Sequence, residues 1–191
     1  PLMAAQGVLT SQQKELGVAV VDIGAGTTDV AVFQEGDLLY AATFPIGSEN
    51  ITNDIAIGLR TEPDIAEQIK LEFGSLGSKG RKMEKFEIPD APPLSFSQKF
   101  LSHIIESRTK EIFQMVSRDL KKISKQGMLP GGIVLAGGGA KLPRIVDYAK
   151  KELKLPVKVG TPRGFTTIEK DPSFLTVLGL LLGSIEEGES N

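Results

Sequence analysis

The stretch of this 191-residue chain best suited to chemistry is Asp22-Ile23-Gly24-Ala25-Gly26-Thr27-Thr28-Asp29. Its two glycines let the backbone adopt positive φ and approach a ligand closely. Consecutive backbone N–H groups then form a concavity for an anion, and Thr27 and Thr28 add hydroxyl donors. Asp22 repels phosphate but suits a hydrated Mg²⁺ held beside one. Short β-branched runs at 17–22 and 28–34 flank the turn as strands. A strand–turn–strand differs from the dinucleotide fingerprint, whose glycines lead into a helix, and the Walker lysine is missing. The same residues also suit a plain tight hairpin, with Gly and Asp serving turn geometry.

A second glycine turn lies far along the chain. Ile133-Val134-Leu135-Ala136 reads as a strand, and Gly137-Gly138-Gly139 follows it. A helix is expected from 142 to 153, so that the glycines open it and its N-terminal amides face the loop. If the two strands point the same way, both turns line one sheet edge, one for phosphates and one for adenosine.

Composition narrows the chemistry. Lys plus Arg is 22 and Asp plus Glu is 24, so no basic excess points to nucleic acid. There is no cysteine and one histidine, His103. Thiolate catalysis, disulfides and sulfur metal sites are therefore out, and any metal is a hard cation on oxygen. No secretory signal is visible, and no apolar run approaches the ~20 residues of a membrane span. The chain lacks a starting methionine, and residues 1–16 read as the end of something longer.

The remaining elements position these residues. A third strand is expected at 37–44 after the turn Glu35-Gly36-Asp37. Ser48 is the expected N-cap of a helix with Ile51, Ile55 and Leu59 on one face. Thr61 is expected to cap the next, where Ile65, Ile69 and Phe73 face inward and Glu67 and Lys70 outward, three residues apart. Residues 74–95 read as irregular, with the basic Lys79-Gly80-Arg81-Lys82, a short strand at Phe86-Glu87-Ile88 and a proline-rich linker from Pro89 to Pro93. A long helix at 96–124 carries Arg108 where its stripe calls for an apolar residue. A snorkelling or paired arginine explains this, as does partner recognition. After a short strand at 157–159, Asp171-Pro172 opens a last helix, apolar on nearly every side and expected to be deeply buried. The acidic tail from Glu186 to Asn191 is expected to lack fixed structure. The order β-β-β, α-rich insert, β-α-β-α gives an α/β, ribonuclease-H-like domain with a five-stranded mixed sheet. Residues 1–47 and 125–191 form the expected core subdomain, and 48–124 an inserted α+β subdomain.

The two glycine motifs together resemble the actin, sugar-kinase and heat-shock-chaperone superfamily. Within it the chain is most similar to the FtsA family of bacterial actin-like cell-division proteins. The likeness rests also on Lys14-Glu15-Leu16-Gly17-Val18, Ile51 to Ala56, Ala66 to Lys70, Ile104 to Arg108 and Gly132 to Gly138. It covers nearly the whole chain but only the second half of the family protein. Ala25 departs from the family, many members of which have Gly there. The resemblance implies ATP and Mg²⁺ as ligands. Gly24, Ala25, Gly26 and Thr27 would cradle the β- and γ-phosphates, and Asp22 would act through Mg²⁺ or its water. Glu67 and Lys70 would bind the ribose, against the plain alternative of an exposed ion pair. Gly137, Gly138 and Gly139 would lie against adenosine.

The resemblance further implies self-association into filaments and docking of the FtsZ C-terminal tail near Arg108. It implies a cytoplasmic place at the inner face of the membrane at the division septum, with membrane contact through a segment absent here. Hydrolysis by the full-length protein would be at most weak, and these residues alone are expected to bind ATP weakly and to be inactive, because the half supplying the other phosphate clamp is missing. The alternatives are half of a sugar or acetate kinase and a pilus-assembly actin-like interaction module.

Overall fold

The apolar run of β1 (Val18–Ile23) is explained by its place in the middle of a sheet ordered β3-β2-β1-β6-β7. A strand covered on both faces has no polar side to show. β1 pairs antiparallel with β2 (Thr28–Gln34), which pairs antiparallel with β3 (Asp37–Phe44). On its other side β1 runs parallel to β6 (Ile133–Ala136), and β6 parallel to β7 (Val157–Val159). The computed structural model describes residues 1–78, 80, 82–89, 91–123, 128–163 and 171–188. Lys79 and Arg81 of the basic cluster lie outside the described residues.

One face of the sheet is packed by α3 (Ser48–Leu59), α4 (Pro63–Phe73), α5 (Gln98–Lys122) and α6 (Ile145–Leu153). Ile51, Ile55, Ile69, Leu101, Ile105 and Phe113 join Val21, Ile23 and Leu135 in one continuous buried cluster. The other face carries α1 (Leu2–Val8) and α7 (Leu175–Gly188) over Val18, Val20, Ala31 and Val134. These two helices cross so closely that a Cβ on Gly7 would lie 2.7 Å from the Leu175 carbonyl oxygen. A short helix α2 (Ser11–Leu16), opened by a Thr10–Gln13 capping box, leads into β1.

Several expectations are corrected. Residues 83–97 hold a hairpin, β4 (Met83–Phe86) with β5 (Leu94–Ser97), so the strand ends where 86–88 was expected to carry it. Its buried Phe96 meets Phe73 edge-on at 5.4 Å, which anchors the hairpin on α4. The cap of α3 is Gly47, whose N–H donates to Asn50 Oδ1, and Ser48 is the first helical residue. Glu62, not Thr61, precedes α4, and its Pro63 takes the first helical position. The second glycine turn does not open α6. Gly138–Lys141 form a short 3₁₀ turn, and α6 begins only after Pro143 and a left-handed Arg144. α7 is not deeply buried: Val177, Leu180 and Leu181 are each about half exposed, as is Phe174 in the 3₁₀ turn Pro172–Phe174 just before it. It continues to Gly188, into the acidic tail, whose residues 189–191 lie outside the described residues.

Candidate functional site

The parallel pairing of β1 and β6 decides where the two glycine turns go. Asp22 stands opposite Ala136, so both strands end together and both turns leave the same sheet edge. The turns touch: a Cβ on Gly137 would collide with the Asp22 carboxylate, and one on Gly139 with Ile23. Gly137 also has φ of 81°, which favours glycine independently.

The first turn is braced from below. Its Gly24 carbonyl accepts from the Ser48 N–H at 2.9 Å and the Ser48 hydroxyl at 3.0 Å, and its Ala25 carbonyl from the Glu49 N–H at 2.9 Å. The first amides of α3 are thus satisfied by the turn, which a helix N-terminus requires. Gly47 makes this approach possible, since a Cβ there would lie 2.7 Å from the Gly24 oxygen. Within the turn the Gly24 N–H donates to the Thr27 carbonyl at 2.9 Å. The amides of Ala25, Gly26 and Thr27 are unpaired among the described residues, and nothing stands within 4 Å of a Cβ on Gly26. Three free amides beside open space form a place for an anion.

Asp22 and Asp29 are directly opposed across β1 and β2 and so share a face. By alternation it is the α1/α7 face, not the face of Glu67 and Lys70. Thr176 Oγ1 donates to Asp22 Oδ2 at 2.7 Å. Thr27 and Thr43 hydroxyls donate to Asp29 at 3.1 and 2.5 Å. Among the described residues no group of three acidic or histidine side chains gathers around a metal. Two carboxylates that leave most of a coordination shell to phosphate and water fit Mg²⁺ bound with a nucleotide.

On the α3/α4 side two cavities share Ser48, Glu67 and Lys70. One, of about 230 Å³, reaches Gly138 and Gly139 past Ile51, Leu71, Leu142 and Pro143. The other, of about 330 Å³, reaches Ala25. Lys70 is not the outward-facing residue expected. Its side chain is 10% exposed, and its Nζ reaches Glu67 Oε2 at 2.6 Å, Thr52 Oγ1 at 2.8 Å and the Ser48 carbonyl at 3.2 Å. Thr52 also donates to Glu67 Oε2. Burial pushes the Glu67 carboxyl up, but the hydrogen bonds from Lys70 and Thr52 hold it below the usual carboxylate range. Glu67 is therefore ionised at neutral pH, with Oε2 committed and Oε1 left to accept from a ligand. Asp22, Gly24, Gly26, Thr27 and Gly137 line neither cavity.

Arg108 stands apart from both cavities. Its guanidinium grips Asp54 of α3 with two hydrogen bonds, 2.7 and 2.9 Å, and reaches Glu111 at 2.6 Å. This is the paired arginine that the helical stripe allowed. Sequence reasoning missed Gly47, Ser48, Thr52, Leu71, Lys141, Ser173 and Thr176 at the site. Gly47, Ser48, Thr52, Lys141 and Thr176 act through contacts remote in sequence, which no local pattern announces. A cavity of about 420 Å³ between Ser78, Glu106 and Arg144 is larger but holds none of the expected residues.

The family model described as Cell division protein FtsA matches residues 19–179. FtsA of Pseudomonas aeruginosa is 37% identical over 97% of this chain and 46% of its own length. FtsA of Bacillus subtilis is 38% identical over 95% and 41%, and that of Escherichia coli K12 is 36% identical over 94% and 46%. The chain thus spans about half the length of the curated relatives it matches. Among solved structures, MreB5 of Spiroplasma citri bound to ADP superposes with a TM-score of 0.77 at 22% identity, over 99% of this chain and 60% of that one. A non-polymerising MamK mutant bound to AMPPNP gives 0.67 at 19% identity, over 97% and 58%. These likenesses show the actin-like α/β fold, and the sequence matches go further: the chain belongs to the FtsA family of bacterial cell division proteins.

Proposed function

We propose that this chain is the second half of an FtsA-type protein and binds ATP with Mg²⁺ where its two glycine turns meet. The observation that carries the reading is the parallel β1–β6 pair, which delivers both turns to one edge with free amides on one and a cavity beside the other. The purine and ribose occupy the cavity of Leu71, Leu142 and Gly138, with Glu67 Oε1 accepting from a ribose hydroxyl. Lys70 keeps Glu67 charged and in place. The β- and γ-phosphates cross the edge onto the amides of Ala25, Gly26 and Thr27, which orient them toward Asp22 and Asp29. Asp22 would hold Mg²⁺, directly or through its water, and the ion would neutralise phosphate charge there. Fold neighbours crystallised with ADP and AMPPNP support this reading.

In the intact protein, self-association and capture of the FtsZ C-terminal tail are the roles we assign; family membership supports them, and a MamK double helical filament is among the fold neighbours. Residues 48–124 act as an inserted subdomain that presents Arg108 to the tail. A carboxylate of the tail displaces Glu111, the more exposed of the two partners of Arg108. Attachment to the inner face of the membrane at the septum is assigned to a segment outside these residues. No helix among the described residues is long and apolar enough to cross a membrane. Titration of the intact protein with ATP, with and without Mg²⁺, tests the central claim. Binding strengthened by Mg²⁺ and abolished by Gly26→Val is expected. No binding, or a crystal with ATP lodged elsewhere, overturns it.

A further inference from the structure

The start of α7 and the residues just before it grip both glycine turns. Thr176 Oγ1 donates to Asp22 Oδ2 at 2.7 Å, joining residues 154 apart in the chain. The other carboxylate oxygen lies over Gly137, in the space a Cβ would fill. The Asp22 carboxylate is thus held on one side by a hydroxyl and admitted on the other by a missing side chain. A few residues earlier, Asp171 Oδ2 accepts from Lys141 Nζ at 2.7 Å, and its Oδ1 from the Ser173 N–H at 2.8 Å. The buried Pro172 accepts the Gly137 N–H at 3.0 Å. Lys141 and Ser173 both line the cavity that reaches Gly138. One short segment therefore touches the phosphate-side turn through Asp22 and the base-side turn through Gly137 and Lys141.

A threonine hydroxyl has one proton to give, and an ionised carboxylate has about four places to receive. Giving that proton to Asp22 fixes the carboxylate's orientation and leaves its remaining lone pairs for a cation or its water. Residues that orient a metal-binding group in this way are worth roughly 10–100-fold in metal affinity.

We propose that Thr176 is a positioning residue for Mg²⁺, acting through Asp22, while the Lys141–Asp171 pair separately fixes the base-side turn. The proposal rests on the nucleotide reading above. It divides the two contacts by what each controls: Thr176 the gain in ATP affinity that Mg²⁺ brings, Lys141 the affinity that remains without it.

The test is calorimetric titration of ATP into the intact protein, in Mg²⁺ and in EDTA. Thr176→Val is expected to lose about tenfold of the Mg²⁺-dependent gain and to keep wild-type affinity in EDTA. Thr176→Ser restores the gain. Lys141→Gln weakens both arms by the same factor. A Thr176→Val protein that keeps the full gain while Asp22→Asn loses it makes Thr176 a mere tether of α7 and overturns the proposal. Equal loss in both arms for Thr176→Val overturns it too, as general disorder of the site. If Mg²⁺ brings no gain to the wild type, or Asp22→Asn costs none, the Asp22 reading itself fails and takes the proposal with it.

Discussion

On one face of the sheet Val21, Ile23, Val30 and Leu135 disappear under α3, α5 and α6. On the other, Val18, Val20, Ala31 and Val134 are covered by α1 and α7, and the outer side of α7 stays half in solvent. The polar groups differ in the same sense. Lys70, Thr52 and one oxygen of Glu67 are spent on each other, whereas Asp22 and Asp29 each keep acceptor sites for something else. Scattered apolar side chains at a surface are ordinary. Val177, Leu180 and Leu181 along α7, with Phe174 just before it, are not scattered. One face is covered throughout, and the outer side of α7 on the other is left half exposed.

The contrast can be broken most directly in the core. Phe113→Ala, on the covered face, is expected to cost about 3–5 kcal/mol, whereas Leu180→Ala stays within about 0.5 kcal/mol. Urea unfolding of both variants measures this, and equal losses would erase the difference. Next comes the helix crossing that holds the α7 face together. Gly179→Val drives a side chain into the Met3 backbone and is expected to cost about 1–3 kcal/mol. Hydrogen exchange would show α1 losing protection before the sheet does.

A smaller effect lies in acid. Asp119 is buried, which opposes its charge, but Lys122 and Tyr40, at 2.8 and 2.7 Å, hold its carboxyl below the usual range. A folded pKa below the unfolded value, about 3.9, stabilises the protein above that pH. The stability is lost as pH falls through the folded value. Asp171, drawn down to about 2 chiefly by Lys141, follows the same rule on the α7 side, but from a more exposed position. Asp119→Asn should therefore flatten the acid limb of stability against pH more than Asp171→Asn does, in urea midpoints between pH 2 and 5. A steeper Asp171 dependence would reverse the ranking of the two sides. Least costly to the fold is Val177→Lys with Leu181→Lys. Unfolding is expected to be unchanged, while light scattering shows less self-association of the chain. Unchanged association would mean that the apolar strip is not adhesive.

The sheet was legible in the sequence because its signals are local. β2 and β3 come out at 28–34 and 37–44, as expected, because Glu35-Gly36 turn with φ of 56° and 84° between two apolar runs. The two glycine turns were legible for the same reason. The β4–β5 hairpin was not: each strand has four residues, and the prolines between them read as a linker. The exposure of α7 was not legible either, because a helix apolar all round reads the same whether its cover lies inside the domain or beyond it. Gly47 and Thr176 escaped for a third reason. What they do is set by a carbonyl and a carboxylate more than twenty residues away.

α3 is fastened at both ends. Its first two amides hold the Gly24–Ala25 turn, and Asp54, on the same rod, holds Arg108. Such a helix tolerates drift in many of its residues but not in their number. One residue added between Ser48 and Asp54 would swing Asp54 by about 100° around the axis and strand Arg108, although every bond at the turn survived. The spacing from Ser48 to Asp54 is thus set by two tasks that share no atom.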